Sequence, residues 1–184
     1  MGRLTLQRGF TDVNGIRIFY RDTFAGSETL LLLHGRWGRG ETWTDLMRRY
    51  HDRYRIIAPD QRGHGLSDKP EMRYSASDFA QDMYEFIMKV DCAPVTVIGH
   101  SMGAISRDCA DWYGLLDKIR CPVMPVRASE SWCLSQDEAD KIREAVPGCY
   151  YCEISGSDHM VYASNPDKFY PRFDRFLDSI LPPT

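Results

Sequence analysis

The sequence predicts an α/β fold, a mostly parallel sheet flanked by helices. Two short, wholly apolar runs, Leu30–Leu33 and Val95–Ile98, have the length and continuity of strands covered on both faces. Between them lie segments whose apolar residues recur at helical spacing, the clearest being Phe79, Met83, Phe86, Ile87 and Val90. Strand and helix then alternate with short turns, the rhythm of right-handed crossovers in an open sheet.

The first twenty or so residues alternate around Asn14-Gly15, a hairpin signal followed by Ile16-Arg17-Ile18-Phe19-Tyr20. Leu30–Leu33 ends at His34-Gly35. Thr42–Tyr50 reads as a helix carrying Trp43, Leu46, Met47 and Tyr50 on one face. Tyr54–Ala58 is a strand, stopped by Pro59-Asp60-Gln61-Arg62-Gly63-His64-Gly65. Ser75–Val90 is a helix that Ser75 or Ser77 can cap. Val95–Ile98 enters Gly99-His100-Ser101-Met102-Gly103, from which a helix continues to about Asp117. Val123–Val126 and Tyr150–Ile154 are strands with the helix Gln136–Ala145 between them. Asp167–Ile180 is a closing amphipathic helix. With no repeat, low-complexity tract or linker, residues 1–184 are expected to form a single domain.

Composition narrows the class. Hydrophobic residues make up 43% and charged residues 27%, within the range of globular proteins. A formal net charge of -3, with no basic cluster, argues against a nucleic-acid partner. Arg48, Arg49, Arg53 and Arg55 are interleaved with Asp45 and Asp52 and are expected on a solvated face. No apolar run approaches the ~18 residues of a membrane span, and Met1-Gly2-Arg3-Leu4 lacks the apolar stretch of a secretory signal. A cytoplasmic protein is the resulting expectation. Cys149-Tyr150-Tyr151-Cys152 has C-x-x-C spacing, but it falls in a strand-like run where residues three apart face opposite ways. The six cysteines therefore read as scattered reduced thiols, and no metal or organic cofactor is called for.

Gly99-His100-Ser101-Met102-Gly103 fits G-x-S-x-G at a strand-to-helix junction. A serine on that sharp turn projects its hydroxyl above the sheet, and small flanking residues let neighbouring elements approach. Ser101 is therefore the candidate nucleophile, and it needs a base to remove its proton. Of the five histidines, His51 lies among charged residues and is expected at the surface, and His64 in a Gly-rich loop is expected to bond the backbone. His100 adjoins the serine, but neighbouring side chains in a tight turn diverge. His34 ends a strand and is expected to orient the next loop. His159, in Ser155-Gly156-Ser157-Asp158-His159-Met160 after the last strand, is the candidate base. An oxyanion requires two fixed N–H donors. Met102 supplies one; Arg36, or in the second instance Trp37, supplies the other from the loop His34-Gly35-Arg36-Trp37-Gly38. Trp37 is also a candidate wall of an apolar substrate pocket, with simple packing as the alternative.

His34-Gly35, Pro59 to Ser67, the serine turn and Ser157-Asp158-His159 occur in an order that resembles the α/β-hydrolase superfamily, most closely its small esterase, lactonase and carbon–carbon bond hydrolase branch. The resemblance implies an α/β-hydrolase-type sheet, the nucleophile and base roles for Ser101 and His159, and no cofactor. Two departures stand out. Only about twenty residues separate Ser101 from Cys121, where that branch has a further strand and a helical lid. The chain reads as though both were cut out near 106–107, between Ser106 and Arg107. Secondly, the loop where the family commonly places an aspartate reads Arg127-Ala128-Ser129-Glu130-Ser131-Trp132. Glu130 is the only carboxylate there and is the candidate acid; some members instead carry the acid after the preceding strand. The expected function is hydrolysis of a small apolar ester or lactone through an acyl-serine intermediate. The alternatives are cleavage of a carbon–carbon bond and non-catalytic ligand binding on the same fold.

Overall fold

The computed structural model describes residues 4–103, 121–146 and 148–181. The chain divides into two compact units, 1–110 and 111–184.

In the first unit, strands β1 (Gln7–Val13) and β2 (Ile16–Asp22) form the expected hairpin, with Val13 paired to Ile16. Asn14 (φ 47) and Gly15 (φ 77) both take left-handed backbone, which matches the twist of the flanking strands. Strands β3 (Thr29–Leu33), β4 (Arg55–Pro59) and β5 (Val95–Gly99) complete a five-stranded sheet in the order β1-β2-β4-β3-β5. β3 pairs in parallel with both β4 and β5, whereas β2 pairs antiparallel with β4. All five residues of β3 are buried, and four of them, Leu30–Leu33, form the apolar run expected of a central strand.

Alternation along β3 divides the core. Leu31 and Leu33 join Val13, Ile18, Ile57, Met83, Phe86 and Cys92 in one cluster, closed by helix α2 (Ala76–Lys89). Leu30 and Leu32 point to the other face, and a 3-10 turn (Gly40–Trp43) lies beside β3 and β4. Ser75 caps α2 reciprocally: its Oγ accepts the Asp78 N–H at 3.3 Å, and Asp78 Oδ2 accepts the Ser75 N–H at 3.0 Å. That settles the choice between Ser75 and Ser77. The helix expected from Thr42 begins two residues later, as α1 (Thr44–Tyr50). Gly40 donates its N–H to Asp60 Oδ1 at 2.7 Å and lies against the Ala58 carbonyl, which winds the entry into a 3-10 turn.

Two surface expectations are corrected. His51 caps α1 and is buried, with Nδ1 at 3.2 Å from Asp52. Arg55 is no solvated charge: it begins β4 and forms a 2.7 Å ion pair with the buried Asp22.

In the second unit, β6 (Val126–Ala128) and β7 (Cys152–Ile154) pair in parallel, joined through helix α3 (Gln136–Ala145). Ser135 and Glu138 cap α3 as Ser75 and Asp78 cap α2. β6 starts later than the expected Val123, since Pro122 and Pro125 have no N–H for a ladder. β7 likewise starts at Cys152, so Cys149 lies outside the strand; both are free thiols. A short helix α4 (Val161–Ser164), absent from the sequence reading, follows β7 and leads to α5 (Pro166–Ile180). α5 continues through Pro171, which removes one helical hydrogen bond. Burial of Phe169, Phe173, Phe176 and Leu177 along one stripe offsets that loss. The junction near 106–107 and the helix expected beyond Gly103 lie outside the described residues. Among the described residues no helix is long and apolar enough to cross a membrane.

Candidate functional site

Ser101 follows β5 by two residues and opens a 3-10 turn, Ser101–Gly103. Its φ is 54, a left-handed conformation that costs a side-chain-bearing residue on the order of 1 kcal/mol or more. Hydrogen bonds fix the turn: the His100 N–H donates to the Leu33 carbonyl at 3.0 Å, and the Gly103 N–H to the His100 carbonyl at 2.9 Å. Gly103 lies so close to the end of β3 that a Cβ would clash with the Leu33 carbonyl. On the other side, a Cβ at Gly35 would come within 2.9 Å of His100 Nδ1 and 3.0 Å of Ser101 Cβ. Glycines at both places let the loop after β3 reach the serine.

That loop is the expected oxyanion segment. The Gly38 N–H donates to the Gly35 carbonyl at 3.0 Å, closing a four-residue turn with Arg36 and Trp37 at its tip. Trp37 has φ 67 and is 90% exposed, so it is not packed in a core. Arg36 is exposed as well. His34 anchors the base of the turn. Its Nδ1 donates to the Gly35 carbonyl at 2.8 Å, and its Nε2 accepts the backbone N–H of Gln61 at 2.9 Å. A backbone N–H can only donate, so the ring is neutral with its proton on Nδ1. Gln61 returns a bond from Nε2 to the His34 carbonyl at 2.6 Å.

Burial lowers the pKa of His34 from 6.5 to about 4. Unfolded, the ring takes a proton below about pH 6.5; folded, it takes one only near pH 4. The unfolded state therefore binds more protons across that window, and the stabilisation, complete above it, is lost as pH falls. Urea unfolding should show the parent losing about 2 kcal/mol more than a His34→Asn variant between about pH 7 and about pH 4.5. Equal losses would contradict this role for the buried ring.

The Gly-rich stretch after β4 is structural. Asp60 bonds Arg21 at 2.7 Å and the N–H groups of Gly40 and Leu66; Gly65 (φ 51) leaves no room for a Cβ beside it. Arg62 and Asp82, both buried, form a bidentate pair with two 2.6 Å bonds. Arg62 also donates to the Arg73 carbonyl. His64 Nδ1 bonds the Arg62 carbonyl at 2.8 Å, the backbone role expected of it.

In the second unit, parallel pairing of Ala128 with Ile154 brings the loops after β6 and β7 together. The Glu130 N–H donates to the Ser157 carbonyl at 3.0 Å, and the Gly156 N–H to Ser129 Oγ at 2.9 Å. His159 is half-buried. Its Nδ1 lies 3.1 Å from Ser131 Oγ and its Nε2 lies 3.7 Å from Cys133 Sγ. The Glu130 side chain is exposed, and its carboxylate makes no hydrogen bond or ion pair among the described residues. Asp158, next to the ring in sequence, accepts the Met160 N–H at 2.8 Å; bonds from Ser164 and Met160 hold its carboxyl below the usual range. Ser131 and Cys133 carry no sequence signal of their own. Only the β6–β7 register places them at the ring.

The sequence profile of the alpha/beta hydrolase family matches residues 30–124. A 2-(acetamidomethylene)succinate hydrolase from Mesorhizobium japonicum is 40% identical over 93 residues, 50% of this chain and 33% of that protein. The profile match falls mostly in the first unit, and the chain spans about a third or less of the length of such curated relatives. Among solved structures, the predicted CIB-like hydrolase of Thermoplasma acidophilum superposes with a TM-score of 0.84 at 24% identity, covering 95% of this chain and 99% of that one. The enol-lactonase of Burkholderia xenovorans gives 0.83 at 14% identity, covering 92% and 99%. Likeness at such identity concerns the fold.

Proposed function

Since the chain belongs to the alpha/beta hydrolase family, we propose that it is a serine hydrolase that cleaves a small apolar ester or lactone. Ser101 Oγ attacks the carbonyl carbon while His159 takes the hydroxyl proton, and the N–H groups of Met102 and Arg36 receive the oxyanion. Trp37 is the alternative donor and a wall for an apolar substituent. The imidazolium then protonates the leaving alkoxide, and water releases the acyl group by the reverse sequence.

The observation that carries this reading is the left-handed Ser101 (φ 54), held by the Leu33 carbonyl bond and by the close approach of Gly103. A side chain in that conformation is uncommon, and such strain concentrates at functional sites. A panel of p-nitrophenyl esters, lactones and vinylogous diketones tests the reading. Turnover of short acyl esters or lactones is expected. Turnover of the diketones alone would make it a carbon–carbon bond hydrolase.

A non-catalytic binding protein is the second reading, favoured by the exposed Glu130 carboxylate and by the hydrogen bond between His159 Nδ1 and Ser131 Oγ. With Ser131 at the ring, Glu130→Gln should change kcat by less than ~3-fold. A fall of ~10²–10⁴ would restore Glu130 as the acid that orients His159.

A further inference from the structure

We propose that Cys133 is a second reactive centre of this protein, a thiol oxidised by hydroperoxides with His159 as its proton acceptor. Its Sγ lies 3.7 Å from His159 Nε2. This role requires the tautomer with its proton on Nδ1, which the contacts around the ring allow. Ser131 Oγ meets Nδ1 at 3.1 Å and also accepts the Cys133 N–H at 3.2 Å. A proton on Nδ1, donated to Ser131, leaves the Nε2 lone pair facing the thiol. One serine therefore orients the ring and fixes the backbone of the cysteine it serves.

The other described cysteines lack this arrangement. Cys92 and Cys152 are buried, and desolvation pushes both thiols up, away from the reactive thiolate. Cys121 is exposed, and neither it nor Cys149 bonds a histidine among the described residues. Cys133 is half-buried, open enough for a small oxidant that needs no built pocket.

The step balances with the hydroperoxide as sole oxidant. The thiol proton passes to His159 Nε2, and the sulfur electron pair attacks the distal peroxide oxygen. An S–O bond forms as the O–O bond breaks, and the departing oxygen leaves as alcohol or water with the imidazolium proton. Sulfur is oxidised by two electrons to a sulfenic acid, and the peroxide is reduced. Resting on the role of His159 as the base for Ser101, this chemistry also switches the hydrolase off, because an oxidised Cys133 occupies Nε2.

The test treats the folded protein with hydrogen peroxide, traps sulfenic acid with dimedone and quantifies each cysteine peptide by mass spectrometry. Cys133 should be trapped at least ~10-fold faster than the more exposed Cys121, and His159→Gln should abolish that advantage. Equal or slower trapping at Cys133 in the parent overturns the proposal without recourse to any variant. Esterase activity is followed in parallel: peroxide should inactivate the parent and spare Cys133→Ser. Fast trapping with undiminished activity overturns the coupling to hydrolysis. Fast trapping in a protein that hydrolyses no ester overturns the proposed function and supports the thiol site.

Discussion

Ser101→Ala should abolish ester hydrolysis, lowering kcat on p-nitrophenyl acetate by at least ~10⁴ while leaving the fold in place. The change removes one oxygen from a half-exposed turn and creates no cavity. Alanine bears the same Cβ as serine, so the strain of φ 54 persists and the thermal midpoint should barely move. Ser101→Gly separates the two effects, because glycine takes positive φ without penalty. It should be equally inactive yet more stable by about 0.5–1 kcal/mol. Activity of Ser101→Ala within twofold of the parent would end the nucleophile assignment.

His159→Gln should lower kcat by at least ~10³, since glutamine can take the ring's place in bonding Ser131 but cannot accept the serine proton. The pH profile distinguishes this from a packing defect. In the parent, kcat/KM should show an acid limb, because the group that accepts the serine proton must be unprotonated to act. The Gln variant should show a low rate with no such limb. An acid limb retained unchanged in the variant would assign the base to another group.

The first half of the chain was the more legible in its sequence, for a physical reason. Its strands are central and its signals local: Leu30–Leu33 is buried throughout, Asn14-Gly15 turns the hairpin, and Ser75 caps α2. G-x-S-x-G likewise announces the left-handed Ser101 within five residues. Burial of His51 and pairing of Arg55 with Asp22 were hidden, because each depends on partners brought together by the sheet. In the second half, prolines delayed β6, and α5 continued through Pro171 because its aromatic stripe outweighed one missing bond. The partners of His159 were the least legible. The loop after β6 offers Glu130 as its carboxylate in sequence, and the register of Ala128 with Ile154 also brings Ser131 and Cys133 to the ring. Residues 28 and 26 positions away in sequence leave no pattern that periodicity can read.

Covalent capture of Ser101 tests the central claim most directly. The protein is incubated with a fluorophosphonate, which phosphonylates only a serine activated by a base and an oxyanion site, and is then digested for peptide mass spectrometry. A single phosphonyl adduct on Ser101 is predicted, lost in Ser101→Ala and slowed by at least ~10²-fold in His159→Gln. An unlabelled Ser101 in folded protein, or an adduct on another serine, would contradict the account.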